Sequence, residues 1–365
     1  MKTLLVTLVS EQTIQNVRFI LEKRNNETDF LFISTIKMED KGIKSWIQKV
    51  CNIENMITKV VDQFSLDDIE TKLNEVDYKA YNNILVNIIG GTKIMSLATA
   101  DFFKKLNAEL NVEIFYLTEK NSILQIYPKK EIMEQKISKP IALKEYIESH
   151  GFLMNEKKMS GIGFEYTKKY FKLYSRDNDK YHETIEKLRE YRDTNNKEKI
   201  NGVEKLSEFI NDIEYPQEKL DKYDVRYLTG DWFEEYIYYS LKEELLIPEE
   251  NIKTGVTLIK NNIQNEFDVI FINQGKLFTI ECKTSILNGV NSILTDTIYK
   301  TAALQKNLGL YSNFSIFTLS SKDNKEVKET DLDRAKKLFN IGVFCKEDIE
   351  DCTSIHTLLI DNTKY

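Results

Sequence analysis

A series of short, almost wholly apolar runs, each followed by a helically spaced segment, constrains this chain more than any other feature. Leu4–Val9 precedes Thr13–Lys23, where Ile14, Val17, Ile20 and Leu21 share one helical face. Phe30–Ser34 precedes Ile43–Val50, and Ile84–Ile89 precedes Ile94–Leu106, after which Val112–Leu117 and Ile123–Tyr127 read as two further strands. A strand with no polar face must be covered on both sides, and helices crossing over a parallel sheet do this. Residues 1–140 are therefore expected to form a Rossmann-like α/β domain.

The character changes at residues 141–225, which are rich in Lys, Glu and Asp, with Tyr and Phe at helical spacings, as in Phe164-Glu165-Tyr166-Thr167-Lys168-Lys169-Tyr170-Phe171. No strand signal stands out, so this stretch reads as a helical connector, with Asn195–Lys199 as a solvated loop. Residues 226–365 return to an α/β pattern. A helix begins near Asp231, strands follow at Val256–Ile259, Glu266–Ile272 and Leu277–Lys283, then a helix over Thr297–Leu308 and a strand at Phe314–Leu319.

Composition removes several function classes. With 13 Gly and 4 Pro the chain cannot be collagen-like or a Pro-rich linker array. A net charge of −7 argues against a generally basic nucleic-acid coat. Any nucleic-acid site is local and is expected to rely mainly on Lys, because Arg is rare. Cys51, Cys282, Cys345 and Cys352 form no CxxC pair and read as reduced thiols. The N-terminal apolar run is too short for a secretion signal, and no stretch approaches the roughly 20 apolar residues of a membrane span. A soluble cytoplasmic protein with no membrane partner is expected.

The densest chemistry lies in the C-terminal region. Glu266–Ile272 and Leu277–Lys283 flank Asn273-Gln274-Gly275-Lys276 and read as a β-hairpin. With Gln274-Gly275 as the loop, Asn273 faces Lys276, Ile272 faces Leu277, Ile270 faces Thr279 and Asp268 faces Glu281. Two carboxylates are then opposite one another, and Lys283 emerges on the same face. Like charges in an apolar strand pair repel, and a divalent cation resolves the conflict. Hard oxygen ligands suit Mn2+ or Mg2+, and a lysine beside a metal-bound water orients or deprotonates it. This is apparatus for phosphodiester hydrolysis.

Asp268…Glu281-Cys282-Lys283 resembles the D…ExK signature of the PD-(D/E)xK nuclease superfamily, whose fold is restriction-endonuclease-like. Asn265-Glu266-Phe267 stands where a proline often precedes the Asp. The resemblance implies that Asp268, Glu281 and the Cys282 backbone carbonyl ligate metal and that Lys283 positions or activates water. Gly230-Asp231-Trp232-Phe233-Glu234 resembles the segment that carries a helix-borne Glu in many members, which makes Glu234 the fourth catalytic and metal-binding residue, with adjacent Glu235 as the alternative. Gln305 and Lys306 are further candidates for substrate contact.

In parallel α/β sheets ligands bind beyond the strand C-termini, where helix N-termini offer free N–H groups. Two turns qualify: Ser10-Glu11-Gln12-Thr13 and Gly90-Gly91-Thr92-Lys93. Neither matches a dinucleotide fingerprint or a P-loop, so a phosphate-bearing ligand other than a dinucleotide cofactor is expected. Together with Leu4–Ile14 and Ser34-Thr35, these turns resemble the CARF sensor domain. The order of CARF domain, connector and D…ExK nuclease is similar to the CRISPR ancillary nucleases of type III systems. That resemblance implies an endonuclease that is activated by cyclic tetra-adenylate, works with metal, and cleaves single-stranded DNA and RNA; some relatives nick duplex DNA. It also implies a homodimer, with the two-fold ligand on its axis.

Two rivals remain open at this level. Arg176-Asp177-Asn178-Asp179-Lys180-Tyr181-His182 matches the R-(N/D/H)-x₃₋₆-H pattern of metal-independent HEPN RNases, which also pair with CARF sensors. A CARF transcription regulator, which is not an enzyme, would instead carry a basic helix-turn-helix.

Overall fold

The computed structural model describes residues 2–361 save 108–109, 119–120, 132, 157–160, 177, 195–202, 218–219, 287–292, 310–311 and 325–326. The N-terminal unit contains β1 (Thr3–Leu8), α1 (Thr13–Lys23), β2 (Thr28–Ser34), α2 (Ile36–Asp40), α3 (Ile43–Val50), β3 (Met56–Val60), α4 (Leu66–Asn74), β4 (Asn83–Asn87), α5 (Lys93–Leu106), β5 (Asn111–Thr118), β6 (Ser122–Tyr127) and β7 (Glu134–Lys136). Its sheet runs β3-β2-β1-β4-β5-β6-β7. The first five strands in that order are parallel, whereas β6 runs antiparallel to β5 and β7 antiparallel to β6 at one edge. The doubly covered sheet is confirmed by the side chains of β1, where Leu5 packs with α1 and α3 while Leu4, Val6 and Leu8 pack with α4 and α5.

The middle of the chain contains α6 (Leu143–Ser149), β8 (Leu153–Glu156), α7 (Phe164–Arg176), α8 (Asn178–Thr194), α9 (Leu206–Asp212) and α10 (Lys222–Arg226). After a π-helical turn at Tyr227–Asp231 come α11 (Trp232–Glu244), β9 (Ile252–Lys260), β10 (Ile263–Asn273), β11 (Lys276–Lys283), α12 (Ile293–Gln305), β12 (Ser312–Thr318), α13 (Glu329–Phe339), β13 (Ile341–Phe344), α14 (Lys346–Asp351) and α15 (Ile355–Asp361). The second sheet runs β13-β12-β11-β10-β9-β8.

The strand-free reading of the connector needs correction. β8 joins the second sheet antiparallel to β9, with Leu153 opposite Ile259. Four residues that lie mostly in solvent at a sheet edge carry too little periodicity to be read from sequence. The aromatic stripes of the connector are core: Tyr170, Tyr174, Tyr181, Leu188 and Tyr191 are buried against α11 and against Val269, Phe271 and Ile280 of the second sheet.

The opposite face of that sheet, through Val256, Ile270 and Ile272, shares one apolar cluster with α1, α3 and α6 of the N-terminal unit. Tyr146 on α6 donates to the carbonyl of Leu308, just past α12, at 3.0 Å. Lys260 Nζ donates to the carbonyl of His150 at 2.8 Å. The two α/β units are thus packed through a common core. Among the described residues no helix is long and apolar enough to cross a membrane, and the four cysteines are free thiols.

Candidate active site

The β10–β11 hairpin has the expected register: Asn273 faces Lys276, Ile272 faces Leu277, Ile270 faces Thr279 and Val269 faces Ile280. Gln274 and Gly275 have φ of 49° and 74°. Positive φ at both central positions is what a two-residue hairpin loop needs to match strand twist, and it fixes every pair beyond it. One step past the last ladder pair, Asp268 and Glu281 come together. Lys283 Nζ lies 2.8 Å from Glu281 Oε1, 3.3 Å from Asp268 Oδ2 and 3.2 Å from the Cys282 carbonyl. The Cys282 amide donates to Asp268 Oδ2 at 2.7 Å. A second lysine, Lys300 on α12, stands 3.3 Å from Glu281 Oε1.

Burial and then the charge of Glu281 push the Asp268 carboxyl up to about 6, against the pull of Lys283 and the Cys282 amide. Burial draws the Lys283 ammonium down, but Asp268 and Glu281 outweigh it and hold the proton on more tightly than usual. Glu234 is raised well above the ordinary carboxylate range by burial, then by Asp268 and Asp231. Asp268 therefore stands, half-buried, between the repelling charges of Glu281 and Glu234, with Lys283 beside it.

The oxygens that the sequence assigns to a metal (Asp268, Glu281 and the Cys282 carbonyl) converge on a single point, which the Lys283 ammonium holds. The set is all hard oxygen and fits Mg2+ or Mn2+ by donor chemistry. Among the described residues no three His, Cys, Asp or Glu side chains gather closely enough to hold a metal ion. Glu234 feels the field of Asp268 without completing such a group.

The two adjacent glutamates of α11 differ sharply. Glu234 lines a cavity of about 550 Å³ together with Asp231, Lys283 and Thr284. Glu235 is buried on the other side, where it accepts from Tyr227 Oη at 2.6 Å, the Gly163 amide at 2.8 Å and the Ile162 amide at 3.2 Å. The π-helical turn at Tyr227–Asp231 sits at the cavity rim, a common place for such turns. Sequence reasoning missed Arg189, Arg192 and Arg226, which line the same cavity, and Lys300. The only linear signal was the clustering of Arg in a chain where it is rare.

At the other sheet, the two glycine- and serine-bearing turns meet. A Cβ on Gly90 would stand 2.7 Å from the Leu8 carbonyl and 2.9 Å from Ser10 Oγ, and φ there is +101°, so only glycine lets the turns approach. Ser10 Oγ and Ser34 Oγ are buried without a hydrogen-bond partner among the described residues. Thr35 and Thr92 cap α2 and α5 by accepting from the Met38 and Met95 amides. Thr13 is fully buried, and its hydroxyl donates to Ser149 at 3.4 Å. Lys93 begins α5, next to Gly91. Glu11 pairs with Lys41 at 2.6 Å and Lys37 at 3.4 Å. Glu11 and Gln12 also line a cavity of about 440 Å³ with Lys41, His150, Lys260 and Lys306. Lys306 is therefore placed toward the N-terminal unit, and Gln305 ends α12 beside it. Of the HEPN-like motif, Asp177 and the Arg176, Asn178 and Asp179 side chains lie outside the described residues, and His182 is exposed on α8.

Comparison with known proteins agrees with this division. Residues 4–146 match the family described as Card1 CARF domain, and residues 221–353 match Card1-like, endonuclease domain. The chain belongs to the Card1-type CARF endonucleases. The whole chain is similar in fold to Can2 from Sulfobacillus thermosulfidooxidans, solved in complex with cyclic tetra-adenylate, with a TM-score of 0.77, 18% identity and 100% of both chains covered. It is also similar to protein VC1899 from Vibrio cholerae, with a TM-score of 0.75, 15% identity and 96% and 95% of the two chains covered. No curated protein matches the chain in sequence. An endonuclease domain thus stands where a CARF regulator would carry its helix-turn-helix.

Proposed function

We propose that this Card1-type endonuclease is switched on by cyclic tetra-adenylate and cleaves single-stranded DNA and RNA with Mn2+ or Mg2+, as a cytoplasmic homodimer in type III CRISPR defence. The observation that carries the nuclease chemistry is the convergence of Asp268, Glu281 and the Cys282 carbonyl on Lys283, which itself lines the cavity. The bound ion would supply Lewis-acid activation of water and charge neutralisation at phosphorus. Asp268 and Glu281 would hold it, with Glu234 reaching the same centre from α11. Lys283, kept protonated by the two acids, orients the nucleophilic water and stabilises charge developing on the phosphoryl oxygens. Lys300, already paired with Glu281, adds positive charge on the strand side.

Support for the ligand comes from the meeting of the Ser10 and Gly90 turns at the strand C-termini and from the fold shared with a cyclic tetra-adenylate complex. Ser10, Glu11, Gln12, Thr35, Gly90, Gly91, Thr92 and Lys93 would face it, with Thr13 supporting from below. A two-fold cyclic ligand belongs on the axis of an isologous dimer, where each protomer presents the same turns. The signal has a physical route within one protomer: the turn at Glu11-Gln12 lines the same cavity as Lys306, which follows α12, and α12 carries Lys300 to Glu281. Ligand binding would bias two arrangements of these packed units.

Substitution separates the roles. E281Q and D268N should abolish cleavage while leaving calorimetric binding of cyclic tetra-adenylate intact. Retained cleavage in either variant would remove the metal-centre assignment.

A further inference from the structure

The chain has seven arginines among 51 basic residues, and three of the seven line one cavity. Among the described residues, the cations lining that cavity apart from Lys283 are arginines, Arg189, Arg192 and Arg226, set among Glu186, Glu190, Asp231 and Glu234. Two of them come from α8, in the segment that reads from sequence as a mere connector. Their positions are fixed. Arg189 Nη2 donates to Thr284 Oγ1 at 3.0 Å, and Thr284 directly follows the catalytic lysine in the chain. Thr284 Oγ1 in turn donates to the Thr229 carbonyl at 2.7 Å, and Arg192 Nη1 donates to Thr229 Oγ1 at 3.4 Å. Tyr174 Oη on α7 donates to the Thr284 carbonyl at 3.2 Å. Two of the three also pair with acids of the same cavity, Arg189 with Glu186 and Arg226 with Asp231 at 3.0 Å.

Lysine would serve if these positions only needed a solvated charge, and the chain uses lysine for that nearly everywhere else. A planar guanidinium is the group that recognises phosphate with paired donors while partly desolvated. We propose that Arg189, Arg192 and Arg226 form a guanidinium wall that seats the backbone phosphate next to the scissile one, so that the α7–α8 connector is part of the substrate site and reads a single strand by its phosphates rather than its bases. This rests on the nuclease reading of the same cavity. Asp268 and Glu281, which meet at Lys283, would hold the reacting phosphate through a cation, and the arginines that line the cavity with Lys283 would take its neighbour. A cavity of about 550 Å³ lies in the range that encloses one small ligand, about one nucleotide unit.

The test is fluorescence anisotropy of a labelled single-stranded oligonucleotide, DNA and RNA in turn, bound to E281Q protein with Mn2+ and cyclic tetra-adenylate over 50–200 mM salt. Cleavage by the corresponding variants with Glu281 intact is measured in parallel. R192Q should lower the magnitude of the log Kd against log salt slope by about 0.7, the value of one phosphate contact on a single strand, and weaken binding about fivefold at 0.1 M salt whatever the sequence. R192K should keep the slope, and R226Q should lose a similar increment, which guards against a folding defect in one variant. K187Q, on the same helix and paired with Glu183, should leave it unchanged. Wild-type cleavage with parental slopes in R192Q and R226Q overturns the wall and leaves the nuclease reading. A lowered slope in protein that never cleaves overturns the nuclease reading and leaves a strand seat.

Discussion

The adjacent glutamates of α11 should give opposite phenotypes, and the structure sets the size of the difference. Glu235 accepts three hydrogen bonds in a buried site, from the Tyr227 hydroxyl and the Gly163 and Ile162 amides. Truncation to alanine strands three donors away from water, each worth about 1–1.5 kcal/mol, for a loss of about 3–5 kcal/mol. In a unit of this size about 1 kcal/mol moves the midpoint by about 2–4 °C, so E235A should lower the nuclease unfolding transition by about 6–20 °C. Glu234 is the reverse case: burial and the fields of Asp268 and Asp231 already oppose its charge. Its neutral isostere E234Q should leave the midpoint within about 2 °C, or raise it, yet cut metal-dependent cleavage by about a hundredfold or more. Differential scanning calorimetry and a single-turnover cleavage assay on the same preparations provide both numbers. An E234Q protein that melts early with full activity, or an E235A protein with an unshifted transition, would refute the assignment of the two carboxylates.

Three further outcomes follow from the geometry. Asp268 has a folded-state pKa raised to about 6 from an ordinary 3.8, so its contribution favours the fold at low pH and is lost as pH rises through about 6. Metal-free wild type should therefore lose up to about 3 kcal/mol relative to D268N between pH 4 and 7, and Mn2+ should reverse the loss; a pH-independent difference between the two melting curves would contradict this. G90A places a methyl 2.7 Å from the Leu8 carbonyl at positive φ, and the strain of about 1–3 kcal/mol should weaken cyclic tetra-adenylate binding at least about tenfold by calorimetry. Unchanged affinity would take that turn out of the ligand site. H182A, altering an exposed residue of α8, should keep full cleavage, and its loss would revive the metal-independent RNase reading.

The hairpin was readable because a two-residue loop with positive φ at both positions fixes strand register as far as Val269 opposite Ile280, and just beyond that pair Lys283 reaches both Asp268 and Glu281. The N-terminal sheet was readable because doubly buried strands have no polar face. The elements that escaped notice share a physical reason. β3 and β8 are short edge strands with partly exposed residues, and their pairing is decided by neighbours far along the chain. The choice between Glu234 and Glu235 turns on about 100° of helix rotation, which a spacing argument resolves only when the packed face is known. Arg189 and Arg192 lie some 90 residues before Thr284 and Lys283 in sequence, and only the folding of α8 over the π-helical turn brings them to the cavity.

The central claim is that one chain couples a cyclic oligoadenylate sensor to a metal-dependent nuclease centre. It is tested most directly by mixing purified protein with labelled single-stranded DNA and RNA, with and without Mn2+ and with and without cyclic tetra-adenylate, alongside E281A. The account predicts cleavage only when metal and ligand are both present, and none in the variant. Equal cleavage with and without ligand, or cleavage that survives E281A, would contradict it.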